Sequence, residues 1–222
     1  MSTSSVYQLA SVDQKLCLTL KNQIGFKPFY IDFYDYLQGS TLGEGGRRLL
    51  YKAVKLKGDA NPHIIDANGG WARDAFFLAQ QGFTVTVIER VEVIFKLLTD
   101  ARERALAHPE LQEIMARMSF IHGDAREFLQ QEIHSKVIYL DPMFPARIKS
   151  AKVKKDLQIL QSLAETSIDD PNELFFLARQ KAAERVIVKR PLNAPFLAEV
   201  KPDFQYLGKT VRFDVYAALT SK

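Results

Sequence analysis

The chain has 222 residues, 47% of them hydrophobic and 25% charged, with a single cysteine. Such a chain buries a substantial core, in one large domain or one domain with a small appendage, and it is not disordered, collagen-like or built on a disulfide framework. Thirty Lys+Arg against 26 Asp+Glu give a net charge of +4, and much of the basic excess is concentrated in two runs: Arg47, Arg48, Lys52, Lys55 and Lys57, then Arg147, Lys149, Lys152, Lys154 and Lys155.

Up to residue 60 the pattern is one of short strands, near Lys15 to Leu20 and Phe29 to Phe33, then a loop from Gly39 to Gly46. A helix follows from about Arg47 to Leu56, with Leu49, Leu50, Ala53 and Val54 on one side. We read 1–60 as a small N-terminal β/α extension and 61–222 as the main domain. From His63 the pattern alternates. A buried strand, His63 to Ala67, leads through Asn68-Gly69-Gly70 into a helix that Gly82 closes. The β-branched run Thr84 to Glu89 is the next strand. A long helical stretch from Val93 to Met118 is interrupted near Pro109, and strand Ser119 to His122 and a short helix, Glu127 to Gln131, follow. Strand Lys136 to Leu140 ends in Asp141-Pro142-Met143-Phe144-Pro145, ahead of helices Val153 to Ala164 and Asn172 to Ala183 and strand Arg185 to Lys189. Two last strands, Phe204 to Leu207 and Arg212 to Leu219, are joined by Gly208-Lys209. Repeated βα units require a mostly parallel sheet covered by helices on both faces, here closed by a C-terminal antiparallel hairpin. Cys17 and the dispersed His63, His108, His122 and His134 show no metal spacing. No apolar run approaches the roughly 20 residues that span a bilayer. The expectation is a metal-free, soluble, cytoplasmic protein.

In such sheets ligands sit at the carboxyl ends of the strands. This puts Asp66 to Arg73, Glu89-Arg90, Gly123-Asp124 and Asp141 to Pro145 along one rim. The pair Gly69-Gly70 allows a tight turn and close approach of a ligand to backbone N–H groups, or is simply a βα turn. The dinucleotide fingerprint G-x-G-x-x-G is missing. Yet Glu89, 23 residues after Asp66, stands where an acid accepts the hydroxyls of a ribose. A nucleoside cofactor without a pyrophosphate, S-adenosylmethionine, reconciles the two. Arg73 and Asp74 then lie near its methionine end, and Asp124 either meets the adenine amine or caps the next helix. Asp141-Pro142-Met143-Phe144 resembles the [D/N]-P-P-[Y/F] motif of methyltransferases acting on amino groups of planar substrates. The Asp141 carboxylate and Pro142 carbonyl accept the two amine hydrogens and aim the nitrogen lone pair at the methyl group, and Phe144 stacks on the base.

The segments IIDANGGWARDAFFLA, VIER, VIYLDPMFPARIKSAKVKKDLQILQSL, VIVKRP and RFDVYA resemble, in order and spacing, the bacterial 16S ribosomal RNA guanine-N2 methyltransferases of the RsmJ type, from about Phe29 onward. The resemblance implies a Rossmann-like methyltransferase fold with 61–222 as the methyltransferase domain, and S-adenosylmethionine as donor. It also implies the N2 amine of a guanine near the 3′ end of 16S rRNA as acceptor. Cofactor contacts carried over by position fall on Arg73, Asp74, Glu89, Arg90, Asp124, Ala125 and Asp141, to which the first loop adds Asp66 and Gly69. Where the family usually has D-A-T-A-G-L-G-R-D this chain carries Trp71, either a lid on the cofactor cleft or packing. The run Arg147 to Lys155, directly after the catalytic loop, then holds phosphates flanking the target. The expected partner is 16S rRNA or the small ribosomal subunit, with no obligate protein partner and no membrane. Two other readings stand beside this one. An NAD(P)-dependent oxidoreductase explains Glu89 but not the missing third glycine or Asp141-Pro142. A noncatalytic RNA-binding assembly factor is opposed by the intact Asp141 and Phe144.

Overall fold

β1 (Tyr7–Val12) and β2 (Lys15–Leu20) form an antiparallel hairpin, turned through Asp13 and Gln14, both at positive φ, as tight hairpin turns require. The computed structural model describes residues 7–20, 27–39, 44–131, 135–142 and 170–219. The strand expected at Phe29 to Phe33 is not formed. Phe29 makes only an isolated bridge to Leu18, and Asp32 caps α1 (Phe33–Gln38), its carboxylate accepting from Tyr34 N. α2 (Glu44–Val54) begins earlier than expected and takes in Gly45 and Gly46.

The main unit follows the expected alternation: β3 (Ile64–Asp66), α3 (Arg73–Gln80), β4 (Val85–Glu89), α4 (Glu92–Leu106), α5 (Pro109–Ala116), β5 (Met118–His122), α6 (Ala125–Gln130) and β6 (Val137–Leu140). After 170 come α7 (Pro171–Lys181), β7 (Arg185–Pro191), a 3-10 turn (Leu197–Glu199), β8 (Phe204–Leu207) and β9 (Val211–Ala217). Pro109 at the first position of α5 separates it from α4. The helix expected at Val153 to Ala164 lies outside the described residues.

Among the described residues the large sheet has seven strands in the order β5-β4-β3-β6-β7-β9-β8. β3 through β7 are parallel, and β9 runs antiparallel to both β7 and β8. β3, β4 and β6 are buried along their whole length, as strands covered on both faces must be. Successive side chains point to opposite faces, and the core divides accordingly. Ile64, Val87, Tyr139 and Ile187 pack with Phe76, Leu97 and Leu111 on one face. Ile65, Ile88, Ile138 and Val188 pack with Leu129 and Phe175 on the other. Leu18, Phe33, Leu50 and Val54 join the first of these cores, so the N-terminal elements and α3 to α5 bury their apolar sides together.

Candidate active site

Strand parity assembles the centre of the rim. Asp66 follows Ile64 on the same face, Asp141 follows Tyr139, and Lys189 follows Ile187, all toward α3. β6 lies between β3 and β7. The three strand ends therefore converge on Asp74 in the first turn of α3. Tyr139 donates its hydroxyl hydrogen to Asp74 Oδ2 at 2.6 Å, and Lys189 Nζ donates to the same oxygen at 2.8 Å and to Asp141 Oδ2 at 2.9 Å. Asp66 accepts from Asn68 N at 3.2 Å. Burial, with the Asp74 and Asp141 charges adding to it, pushes the Asp66 carboxyl up to about 8. Burial also raises Asp141, with Asp74 adding and Lys189 opposing. Burial opposes the charge on Lys189, but the Asp141 and Asp74 carboxylates win and hold its ammonium well above the ordinary range.

The glycine loop is fastened to β4 by its backbone. Gly69 N donates to Ile88 O at 3.0 Å. A Cβ on Gly69 would sit 2.5 Å from Val87 Cγ1 and 3.1 Å from Ile88 O, so this glycine serves the close crossing of loop and strand. Gly70, at φ +50°, donates its N–H to Glu89 Oε2 at 2.7 Å, and Val91 N donates to Glu89 Oε1 at 2.7 Å. Burial raises the Glu89 carboxyl, and these amides draw it back. Ala72 in the left-handed region turns the chain into α3. Arg73 follows, its guanidinium 5.7 Å from the centre of the Tyr36 ring. Trp71 is packing: it is 5% exposed, its ring centroid lies 4.6 Å from that of Phe29, and its carbonyl accepts from the Tyr36 hydroxyl.

Further along, Arg90 offers its carbonyl to His122 Nε2 at 3.2 Å. Asp124 is the N-cap of α6, accepting from Arg126 N at 2.7 Å, and its carboxylate also grips the Arg126 guanidinium. Arg126 holds the Asp124 carboxyl below its usual range. Ala125 is buried at the first position of α6. At the other end of the rim a groove of about 520 Å³ is lined by Leu192, Pro195, Phe196, Leu207 and Arg212. It opens on the same sheet edge because β7 ends and β9 begins there. Arg212 is fixed below it by Asp214 and by the carbonyls of Pro191, Leu192 and Ala194. Pro142 is buried beside Asp141. Phe144, Arg147, Lys149, Lys152, Lys154 and Lys155 lie outside the described residues. The sequence does not single out Tyr139, and it shows Lys189 only as the last residue of the strand Arg185 to Lys189. Their signal is the parity they share with Asp141, readable once β6 and β7 are known to be neighbours. Among the described residues no cluster of His, Cys, Asp or Glu could hold a metal ion, and no helix is long and apolar enough to cross a membrane.

The strand order, with its last strand inserted antiparallel, and the acids along the carboxyl edge are those of a Rossmann-like methyltransferase that depends on S-adenosylmethionine. A family model described as a putative SAM-dependent methyltransferase matches residues 1–218. Ribosomal RNA small subunit methyltransferase J of Nitrosococcus oceani is 42% identical over 194 residues, covering 85% of this chain and 76% of that protein. Its namesake in Actinobacillus pleuropneumoniae is 39% identical over 218 residues, covering 96% and 86%. The crystal structure of a SAM-dependent methyltransferase from Neisseria gonorrhoeae matches with a TM-score of 0.79 at 31% identity, covering all of this chain and 87% of the other. The chain belongs to the ribosomal RNA small subunit methyltransferase J family. That membership sets aside the oxidoreductase reading.

Proposed function

We propose that this protein methylates the exocyclic N2 amine of a guanine near the 3′ end of 16S ribosomal RNA, using S-adenosylmethionine, in the cytoplasm. The names of its relatives support a small-subunit rRNA substrate, and the sequence resemblance supports the guanine. The observation that carries the reading is the Asp141 carboxylate at the end of β6, with Lys189 on Oδ2 and, among the described residues, no partner on Oδ1.

The residues present fit the donor. Glu89 keeps lone pairs on both oxygens after accepting one amide on each, and those can accept ribose hydroxyls. Asn68 Oδ1 is buried with no hydrogen-bond partner among the described residues, and with Asp66 it offers acceptors to the methionine end. Arg90 and Ala125 flank the adenine side. Because Asp124 is engaged with Arg126, an adenine amine reaches it only by sharing that carboxylate. When bound, the donor supplies an electrophilic methyl group on a sulfonium. An aromatic amine is a weak nucleophile because its lone pair is delocalised into the ring. Asp141 Oδ1 and the Pro142 carbonyl accept its two hydrogens, letting the nitrogen turn its lone pair out of conjugation. Once methylated, the nitrogen is acidic enough for Asp141 to take its proton or pass it to water. Phe144 stacks on the base, and the basic run from Arg147 to Lys155 holds flanking phosphates.

The test is transfer of labelled methyl groups to unmodified small-subunit RNA, followed by mass mapping of the nucleosides. N2-methylguanine near the 3′ end is expected. Asp141→Ala abolishes transfer while cofactor affinity falls only in part. Label on another base, or none with the unaltered protein, overturns the reading.

A further inference from the structure

Asp141 stands in an acidic neighbourhood. Asp66 from β3, Asp74 from α3 and the Tyr139 phenol of β6 all face it, and each would add negative charge if ionised. Lys189 of β7 is the only cation among the described residues in hydrogen-bond contact with it. The Lys189 side chain is 16% exposed and two of its three donors are committed, one to Asp74 and one to Asp141. A linked series of fixed atoms results. Tyr139, fully buried, anchors Asp74 Oδ2; Asp74 anchors the ammonium; the ammonium anchors Asp141 Oδ2. An unpaired Asp141 among these carboxyls would be free to rotate and would favour its neutral form, losing the acceptor that an amine hydrogen needs.

We propose that Lys189 is a positioning residue for methyl transfer: it holds one oxygen of the Asp141 carboxylate and so presents the other, ionised, to the amine of the base. The proposal rests on the methyltransferase reading above and goes beyond it by giving the strand-end lysine a role that the motif Asp141-Pro142 does not contain.

The experiment compares single-turnover methyl transfer across pH in the full chain and three variants. Lys189→Met is expected to lower the rate about 10- to 100-fold near neutral pH, as misplacement of a reacting group does, with the KM for RNA and the affinity for S-adenosylhomocysteine changed less than about threefold. Its acid limb moves to higher pH, so part of the rate returns in alkaline solution, because Asp141 has lost the cation that lowered it. Lys189→Arg keeps a cation, and its limb stays near that of the unaltered protein. Asp74→Asn is nearly isosteric and removes a carboxylate facing Asp141, so its limb moves the other way, to lower pH. It carries the comparison even if the methionine variant does not fold. A limb that stays in place in Lys189→Met and Asp74→Asn, or a rate lost equally at every pH, overturns the proposal. Failure of the underlying functional reading is distinct: the unaltered protein itself would then transfer no methyl group to guanine.

Discussion

Asp66, 2% exposed, has a carboxyl held near 8 by burial and by the Asp74 and Asp141 charges, against about 3.9 in an unfolded chain. The folded protein therefore binds a proton there that the unfolded chain has released. The stabilisation is complete below about pH 4 and is lost as pH rises through about 8. Urea denaturation without donor should show stability falling between pH 5 and 9 more steeply for the unaltered protein than for Asp66→Asn, whose amide oxygen still accepts from Asn68 N. Parallel curves would contradict this. Gly69 gives a second prediction. Its missing Cβ leaves room for Val87 and Ile88, so Gly69→Ala should destabilise the fold by about 1–3 kcal/mol, measured by the same denaturation. Asp66, Glu89 and Asp141 were legible in the sequence because the end of a parallel strand marks the rim without knowledge of neighbours. Lys189 and Tyr139 were not, because their roles depend on which strands adjoin. Of the two readings of Asp124, the helix cap is the one the structure shows, its carboxylate accepting from Arg126 N two residues away.

Asp32 shows how an element can overrule a pattern. Alternating apolar residues from Phe29 to Phe33 read as a strand, but the Asp32 carboxylate caps α1 and also receives Lys15 from β2 and Arg104 from α4. These long-range partners are invisible to local periodicity. Asp32→Ala should remove the cap and the carboxylate that Lys15 and Arg104 share, though Arg104 keeps Asp100, costing about 1–2 kcal/mol, with the loss read in thermal or urea unfolding. α2 departs in the opposite sense, since glycines at 45 and 46 suggest a loop, whereas burial of Leu50, Ala53 and Val54 carries the helix back to Glu44. A Cβ at Gly45 meets nothing within 4 Å, so Gly45→Ala should stabilise the protein by about 0.4–1 kcal/mol. A loss of stability there would count against the helix start.

Across the whole molecule, charge is sorted by place and not by amount. The net charge is only +4, yet carboxyls crowd the strand ends while lysines gather at 147–155, immediately after Asp141. Replacing Lys152, Lys154 and Lys155 together should weaken RNA binding and reduce the slope of log affinity against log salt by about 2, while calorimetry shows unchanged binding of S-adenosylhomocysteine. Equal loss of both affinities would refute that separation. The order of elements was readable from alternating periodicity over most of the main unit, whereas the strand Tyr7–Val12 was not, since it is short and only half-buried, nor was the packing of the N-terminal elements, which depends on contacts distant in sequence.

β9, the latest strand in the sequence, sits between β7 and β8. During translation, then, the strand bearing Lys189 has an unpaired flank until 211–217 emerges from the ribosomal tunnel. A nascent copy consequently lacks the support that fixes its lysine, and its exposed sheet margin invites pairing with other chains. Ribosome stalling or proteolysis ahead of that segment should yield aggregation-prone fragments instead of a slower enzyme.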